Sequence, residues 1–557
     1  MPSAPSSSAA TSTSSIGRQK REKRRGCWRF FCAAVLLAVG LLLLLTGLIM
    51  HLAVVPTVVE NSIIDNSRLL SGSLLMDKWK NPAYKMKFKL FVYSMKNPDE
   101  FMAGAIPEVS GSGPYTFDKT MQNHVISTGN GTVKYRRFAT FHFNERESCQ
   151  TCILGNRIWV PNMIYQKFVE AASTEGMRAA GTTLLSQTAF LEVEVDELLF
   201  EGYKDPFLDK ICEIPFMNFV CEAILDVPDR IGLFYEANNT DSKVIEIADG
   251  TADVNDLGKI LSYNNEKLLD ETWWNTEESR KIRGTDGSLF KPFIQKTDKL
   301  YVFVIELCRS IWLEFKEEIE FKGLKAYRFI MPPEVLDPSF EGNEGFCNPT
   351  EKRFFDSQNE TECWPKGLLE ISHCQRSQAP IMISMPNFLF ADDEVKKTVK
   401  GMNESDLERD GITVDIEPRL GTVLRACRRS QVNIEMWKGK DLTFPINLKK
   451  MKSSLIPTVV VHEDIEIDDE SLEQIQSQLY DAEWYAYTSA TFISVFGALV
   501  FIVGAIFLAY LLGAFSKCFG GRPRKHQVSP QRLPPYVPKN GAPLGQTNGN
   551  AFHHLYL

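Results

Sequence analysis

The sequence lacks the short motifs by which most hydrolases and nucleotide-using enzymes are recognised. It contains no G-x-S-x-G elbow and no phosphate-binding glycine loop with a lysine. His462-Glu463 is not followed by a second histidine at the spacing of a zinc protease, and His373-Cys374 has no second Cys/His pair at zinc spacing. We therefore predict that the protein is not an enzyme and uses no cofactor or metal.

Charge is also absent from two long stretches, Phe30–Met50 and Trp484–Phe515. About 20 apolar residues in a helix cross the hydrocarbon core of a bilayer, and the first stretch is too long for a signal peptide and lacks its cleavage site. Basic residues precede the first stretch and follow the second, so both ends of the chain are predicted to face the cytosol. The expected segments are a cytosolic tail (1–29), a transmembrane helix (30–50), an ectodomain (51–483), a second transmembrane helix (484–516) and a cytosolic tail (517–557).

The segment between the two spans is acidic and holds most of the cysteines. Residues 1–29 and 514–557 each carry a charge of +6, so the remainder carries −20 of the total of −8; this argues against nucleic-acid binding. Nine of the 12 cysteines and four N-glycosylation sequons lie in this segment, which indicates an oxidising compartment outside the cytosol. The expected glycosylation sites are Asn130, Asn238, Asn359 and Asn403.

The cytosolic flanks carry features of membrane-edge and adaptor-binding segments. Cys27, Cys32 and Cys518 lie at the predicted membrane edge and are candidates for palmitoylation, with ordinary thiols as the alternative. In the C-terminal tail, Leu533-Pro-Pro-Tyr536 is a possible WW-domain ligand and Leu555-Tyr-Leu557 a possible PDZ-type terminus.

Between the spans, β-rich patches alternate with turn clusters. Lys87–Tyr93 and Val133–Phe143 are predicted strands, and Ser110–Pro114 is typical of a turn. Met163 to about Ala180 and Asp205–Asp226 have helical spacing, which predicts two helical insertions in a β body. Further strands are predicted at Val244–Ile247, Leu300–Leu307, Ala326–Met331, Ile381–Ser384, Ile412–Ile416 and Thr458–Val461.

Three local patterns have competing interpretations. The strict alternation of Leu191–Asp196 indicates the wet face of a half-buried strand rather than a catalytic acid pair. Glu463–Glu470 holds six acids in eight residues without the order of a calcium loop, so we expect a solvated stalk whose end begins a helix. Cys149 and Cys152 could form a redox pair, a closed local disulfide or two separate bridges.

Several ordered motifs resemble the class B scavenger receptors. The match covers about residues 30 to 515, and no motif is out of order. Its strongest elements are Cys308-Arg-Ser-Ile-Trp312, Gly345-Phe-Cys347, Cys363, Ile371-Ser-His-Cys374, Ala379–Asn387, Asp415–Gly421 and Gln431-Val-Asn433. Weaker similarities are Gly113–Phe117, Gly202–Phe207, Gly232–Tyr235 and Gly284-Thr-Asp286.

The resemblance implies a two-span membrane protein with an α+β ectodomain: an antiparallel β-barrel-like core, an apical helical bundle and an internal apolar tunnel. Both predicted helical insertions would belong to the bundle. The resemblance also implies nested disulfides Cys308–Cys374 and Cys347–Cys363, whereas Cys212–Cys221 is expected from proximity alone.

By the same resemblance, we expect a receptor for lipids, fatty acids, sterols or lipoprotein-like particles that transfers lipid through the tunnel. Lys167 and Arg178 lie about three helical turns apart and are candidates for an anionic head group, with simple solvation as the alternative. Neither tail carries an acidic dileucine or a Tyr-x-x-apolar signal, which favours the plasma membrane. The alternative is a lysosomal membrane protein that exports lipid or sorts a hydrolase.

Two other classes share the two-span topology. A channel subunit would show a polar pore-lining face in a span, and both stretches here are nearly all apolar. An ectonucleotidase would need phosphate-binding glycine loops, which we do not find.

Overall fold

A computed structural model describes residues 13–172, 189–205, 208, 230–347, 355, 363–375, 378–439 and 446–513. It divides into two compact units. One is the ectodomain unit, residues 49–490, and the other contains the chain before and after it, up to Leu48 and from Thr491.

Two helical segments, Gly26–Asn66 and Asp469–Leu511, are long and apolar enough to cross a membrane. Each contains one of the charge-free stretches, and a π-helical turn interrupts each, at Met50–Val54 and at Gln476–Asp481. The described helices are α1 (Thr13–Ile49), α2 (Val55–Asn66), α3 (Leu74–Lys80), α4 (Pro98–Met102), α5 (Met163–Ala172), α6 (Glu277–Arg280), α7 (Asp393–Lys396), α8 (Leu407–Asp410), α9 (Asp469–Ile475) and α10 (Ala482–Leu511).

In the membrane unit, α1 and α10 approach each other at glycines. A Cβ atom on Gly40 would lie 2.4 Å from the backbone nitrogen of Phe501, and one on Gly497 would lie 2.4 Å from that of Leu44. Small residues let helix backbones pack closely in lipid, where apolar side chains gain little from leaving the tails. The two apolar helices therefore form a contact pair.

The ectodomain unit is built on one antiparallel sheet of 14 strands, with a separate hairpin of β4 and β5. The order along the main path is β8-β7-β3-β2-β1-β16-β15-β14-β11-β10-β9, while β6 pairs with β3 and the β12–β13 pair joins β15. The strands are β1 (Lys85–Met95), β2 (Val109–Gly129), β3 (Thr132–Phe143), β4 (Arg157–Pro161), β5 (Phe190–Glu194), β6 (Thr240–Asp241), β7 (Ile245–Ala248), β8 (Ile260–Tyr263), β9 (Leu300–Val304), β10 (Arg309–Phe321), β11 (Leu324–Ile330), β12 (Leu368–Glu370), β13 (Ile381–Ser384), β14 (Thr413–Glu417), β15 (Thr422–Met436) and β16 (Ser454–Glu466).

A two-residue segment closes this sheet into a barrel. On one side, the Ile260 amide of β8 donates to the Gly284 carbonyl at 2.9 Å. On the other, the Thr285 amide donates to Tyr301 of β9 at 3.1 Å, and the Phe303 amide donates back to Thr285 at 2.8 Å. The two edge strands of the path are thus joined through the backbone, which satisfies groups that an open edge would leave unpaired.

The fold class that the resemblance implies is confirmed. The structure has two apolar helices, one near each end of the chain, and an ectodomain built on a large antiparallel sheet. The Leu191–Glu194 part of Leu191–Asp196 is a strand as expected, with Glu192 and Glu194 exposed, whereas Val195 and Asp196 lie beyond β5 in helical conformation. Strand β13 has the predicted bounds. The long strands β10 and β15 have no counterpart among the sequence predictions, because their charged residues hide the apolar face.

Two sequence predictions are wrong. Ser110–Pro114 is not a turn but part of β2, where a register shift against Leu90 and Val92 accommodates the glycines. Glu463–Glu466 is not a solvated stalk but the end of β16. Only the following acids behave as expected: Asp468 caps α9 by accepting the Ser471 amide at 2.9 Å.

Among the residues that the structure describes there are three disulfides: Cys149–Cys152, Cys308–Cys374 and Cys347–Cys363. The last two are the nested pairs that the resemblance implies, and the first is the closed local bridge among the three alternatives. The sequence separation of 66 between Cys308 and Cys374 corresponds to about 4 kcal/mol on the chain-entropy model.

Several predicted features lie outside the described residues. These are Arg178, the Cys212–Cys221 pair, Asn359, Cys518, both adaptor motifs of the C-terminal tail, and most of the helical bundle beyond α5.

Gly284→Ala is expected to prevent barrel closure. The backbone at Gly284 has φ +78°, and an added Cβ would lie 1.8 Å from the Tyr301 carbonyl oxygen, which only a backbone shift could relieve. We expect retention in the endoplasmic reticulum and rapid trypsin cleavage of the ectodomain. Gly323→Ala, which has a similar φ of +88° but nothing within 4 Å, is the control; equal behaviour of the two variants would contradict the closure role.

Candidate functional site

The ectodomain unit contains a cavity of about 780 Å³, within the size range of ligand pockets, about 300–1,000 Å³. Its walls include Phe141, Leu233 and Phe234. They also include residues between Ser62 and Asn66 of α2 and between Gln474 and Leu479, around the second π-helical turn. These last two stretches continue along the chain into the two apolar helices, and we call this part of the lining the membrane-proximal end.

Strand alternation builds the cavity wall. Along β15 every second residue from Ala426 to Val432 lines the cavity, with Arg429 as an addition, and along β16 the alternate residues Val461, Glu463 and Ile465 do so. Successive side chains of a strand point to opposite faces, so one face of each strand supplies the wall.

The register arranges this wall in rows across adjacent strands. Ala426 lies opposite both Val414 and Ile465, and Ile465 also lies opposite Met86, which gives an apolar row. In the next row, farther from α9, Arg428 lies opposite Glu463, which in turn lies opposite Phe88. The row beyond holds Ser430, Val461 and Leu90. A charged row therefore lies between two rows that are mainly apolar.

Six charged residues of the lining form what we call the charged belt: Lys119, Arg137, Asp286, Glu306, Arg428 and Glu463. Lys119 and Arg428 contact the Glu463 carboxylate at 2.6 and 3.0 Å. Arg428 also contacts Glu306 at 3.4 Å. Asp286 accepts hydrogen bonds from Arg137 and from Tyr135. Three cations and three carboxylates balance, so the belt carries no net charge.

The belt keeps its carboxylates ionised. Burial alone would raise the pKa of Glu463, but Lys119 and Arg428 outweigh it and lower that pKa to about 2. Burial likewise opposes ionisation of Asp286 and Glu306, yet Arg137 and Arg428 hold their pKa values below the usual range. Because the folded-state pKa of Glu463 is depressed, its stabilisation is present above about pH 4.5 and is lost as the pH falls towards 2.

Aromatic rings cover the Lys119 side of the belt. The Lys119 ammonium lies 5.8 Å from the centroid of Phe88 and 5.3 Å from that of Phe141, which is a cation–π geometry. Phe141 and Phe234 each pack against Phe88 with ring centroids 5.1 and 5.4 Å apart. The Lys119 ammonium is therefore shielded by aromatic rings on this side.

The residues proposed from the sequence lie elsewhere. Lys167 is on α5, where its ammonium pairs with Glu170 at 3.4 Å and its side chain is only 15% exposed, so an anionic ligand would compete with that pair. Asn130 and Asn403 are exposed, whereas the Asn238 side chain exchanges two hydrogen bonds with the Phe141 backbone. Cys27 and Cys32 are free cysteines.

Sequence reasoning missed the charged belt. Part of the signal was available, because Val461, Glu463, Ile465 and Ile467 alternate with outward residues in the same way as Leu191–Asp196. The many acidic residues of Glu463–Glu470 concealed this alternation of inward and outward side chains.

Comparison with known proteins agrees with the fold. The model of the CD36 family matches residues 38–508. The chain belongs to the CD36 family. This confirms the resemblance to class B scavenger receptors.

Among family members, lysosome membrane protein 2 of Rattus norvegicus is 31% identical over 453 residues, which cover 80% of this chain and 88% of the rat protein. The Homo sapiens protein of the same name is 30% identical, with 81% and 89% covered. Sensory neuron membrane protein 1 of Antheraea polyphemus is 25% identical, with 83% and 88% covered.

Lys119→Met is expected to destabilise the ectodomain. The Lys119 and Glu463 side chains are 13% and 6% exposed, and removing one partner of a buried ion pair costs about 3 to 5 kcal/mol. We expect a lower midpoint of thermal unfolding, followed by intrinsic fluorescence at pH 7, and partial recovery in Lys119→Met/Glu463→Gln. Lys85→Met, which breaks a pair exposed at 57% and 70%, is the control; an equal loss there would argue against the belt's structural role.

Proposed function

We propose that the chain is a scavenger-type receptor that binds lipids or lipid-carrying particles and facilitates lipid transfer through its cavity to the membrane. The observation that carries this proposal is a cavity of lipid size whose lining extends to the segments that continue into both apolar helices. The transfer would run down a concentration gradient, without ATP or covalent chemistry.

Exposed apolar surface near the membrane-proximal end supports the direction of transfer. Leu74, at the start of α3, lines the cavity and is 57% exposed, and the neighbouring Leu70 is 44% exposed. A lipid that leaves the cavity here would meet these apolar side chains, with Asp65 and Lys78 beside them in the lining. Exposed apolar patches of this kind mark binding or membrane-contact sites.

Ala426→Trp is expected to slow the delivery of labelled fatty acid and sterol ester to cells. Ala426 is 7% exposed, lines the cavity and lies in the apolar row between Val414 and Ile465, so a larger ring there would fill the passage. Surface expression and particle binding should persist. Because overpacking also destabilises proteins, Ala426→Leu provides a graded second variant.

The control is Thr120→Trp, which adds the same ring at an exposed position of β2 outside the lining. If both cavity variants reach the cell surface and transfer lipid as fast as the parent protein, the proposed transfer through the cavity is wrong. The protein would then be a docking receptor.

Ligands would be lipids, fatty acids, sterols or lipoprotein-like particles, with Lys167 and Arg178 as candidate head-group contacts and a PDZ or WW adaptor at the C-terminal tail. We propose no enzymatic activity. A nucleotide hydrolysis assay and current recording would separate this reading from an ectoenzyme and a channel subunit.

We propose a plasma-membrane location with both termini cytosolic. The alternative is the lysosomal membrane, which the name of the lysosome membrane protein 2 relatives favours. The charged belt would tolerate either compartment, because Glu463, with a pKa of about 2, is ionised both at neutral pH and at about pH 5. Asn130, Asn238, Asn359 and Asn403 are the proposed glycosylation sites, and Cys27, Cys32 and Cys518 the proposed palmitoylation sites.

Epitope tags at residues 2 and 557 should bind antibody only after cells are permeabilised. A tag inserted after Gly131, in the exposed β2–β3 turn, should be labelled on intact cells if the protein is at the plasma membrane. Labelling of either terminal tag on intact cells would contradict the topology; an internal pool marked by lysosomal dye would instead support the alternative location.

A further inference from the structure

One ion pair of the charged belt differs from the others. The Arg428 guanidinium meets the Glu306 carboxylate through a single contact of 3.4 Å, whereas Arg428 contacts Glu463 at 3.0 Å and Lys119 contacts Glu463 at 2.6 Å. The Glu463 side chain is 6% exposed, while those of Arg428 and Glu306 are 37% and 69% exposed. The Arg428–Glu306 pair is therefore the longest and the most accessible of the contacts around Arg428.

The exposed surface of this pair includes the inside of the molecule. Both residues line the cavity, and burial among protein atoms is the largest influence on the pKa of Glu306. Glu306 lies on the short 3₁₀ turn Ile305–Leu307 between β9 and β10, and Arg428 lies on β15. The pair thus joins two parts of the cavity wall from chain positions 122 residues apart.

We propose that Arg428 binds the carboxylate of a single-chain lipid in the cavity and that Glu306 occupies this position when no lipid is bound. This inference rests on the proposed function and adds to it the residue that holds the head group of one ligand and the carboxylate that competes with it.

The chemistry of the contact supports a carboxylate. Glu306 presents to Arg428 the same group that ends a fatty acid, so exchange of one for the other preserves the charge-assisted hydrogen bond. Arg137 also lines the cavity, but its guanidinium is already paired with Asp286, which leaves Arg428 as the belt cation with the accessible contact. Arg428 would keep its contact with Glu463 throughout.

The alkyl chain would also find a suitable place. One row from Arg428 towards α9, the wall is made of Met86, Ile465, Ala426 and Val414. A head group at Arg428 would thus place the chain against this apolar row, and the lining beyond it contains Ile467, Ile475 and Leu479 among polar residues such as Ser471 and Gln478. Burial of that chain provides the favourable free energy, and Arg428 fixes its orientation.

Exchange releases the Glu306 carboxylate close to the incoming one. Two carboxylates within a few ångströms repel each other, more strongly in a cavity than in water. Glu306 therefore acts as an internal competitor, and its neutralisation should raise the affinity for anionic lipids without changing that for neutral lipids of the same length.

The test uses the full-length protein in lipid nanodiscs and two photoreactive probes, a C16 fatty acid with a diazirine and the matching C16 alcohol. Cross-linking yield against probe concentration, corrected for empty nanodiscs, gives an apparent Kd. Glu306→Gln should lower the Kd of the acid about fivefold or more and leave that of the alcohol unchanged. Glu266→Gln, at an exposed position outside the lining, should change neither.

A second variant identifies the cation. In Glu306→Gln/Arg428→Gln the gain for the acid should disappear, while thermal unfolding reports whether the fold persists. Should that variant fail to fold, Glu306→Asp, which withdraws the carboxylate by one methylene, should give a smaller gain. An unchanged acid Kd in Glu306→Gln, with the alcohol still bound, overturns this inference alone; absence of saturable cross-linking by either probe contradicts the proposed cavity function itself.

Discussion

Closure of the barrel is the constraint on which the rest of the ectodomain depends. Once Gly284 and Thr285 join β8 to β9, every strand has an inner and an outer face, and the inner faces enclose a common volume. A sheet of this many strands encloses more space than its side chains fill, so a cavity of about 780 Å³ is left inside. The same closure brings Asp286, the residue after Thr285, to Arg137.

The cavity, in turn, limits which charges it can hold. An ion removed from bulk water must be balanced locally, since its desolvation costs several kcal/mol. The charged belt meets this condition with equal numbers of cations and carboxylates, and the two rows beside it are mainly apolar. A neutral belt does not attract polyanions over a distance, and it acts only on a group that comes into contact with it.

Sequence reasoning was sufficient where the signal was local. The two spans followed from the absence of charge over about 20 residues, and β13 and β5 followed from length and alternation. It failed at Glu463–Glu466, because the six acids among the eight residues Glu463–Glu470 suggested solvent, although Glu463 points inward on the same period as Val461 and Ile465. The belt as a whole was beyond reach, because its members come from β2, β3, the barrel-closing segment, a 3₁₀ turn, β15 and β16, and only the folded register brings them together.

In the proposed mechanism, different residues decide whether a lipid fits into the cavity and whether it is retained there. Family membership alone does not distinguish these two properties. Fit depends on the apolar rows, which treat an alkyl chain in the same way whatever its head group. Retention of an anionic lipid would depend on Arg428. Its contact with Glu306 is long, at 3.4 Å, and accessible, whereas its contact with Glu463 is shorter, at 3.0 Å, and involves a buried carboxylate. A cation shared between a permanent and a replaceable carboxylate can bind an anion without losing its structural role, so the pair at Glu306 is where selectivity can arise without cost to the barrel.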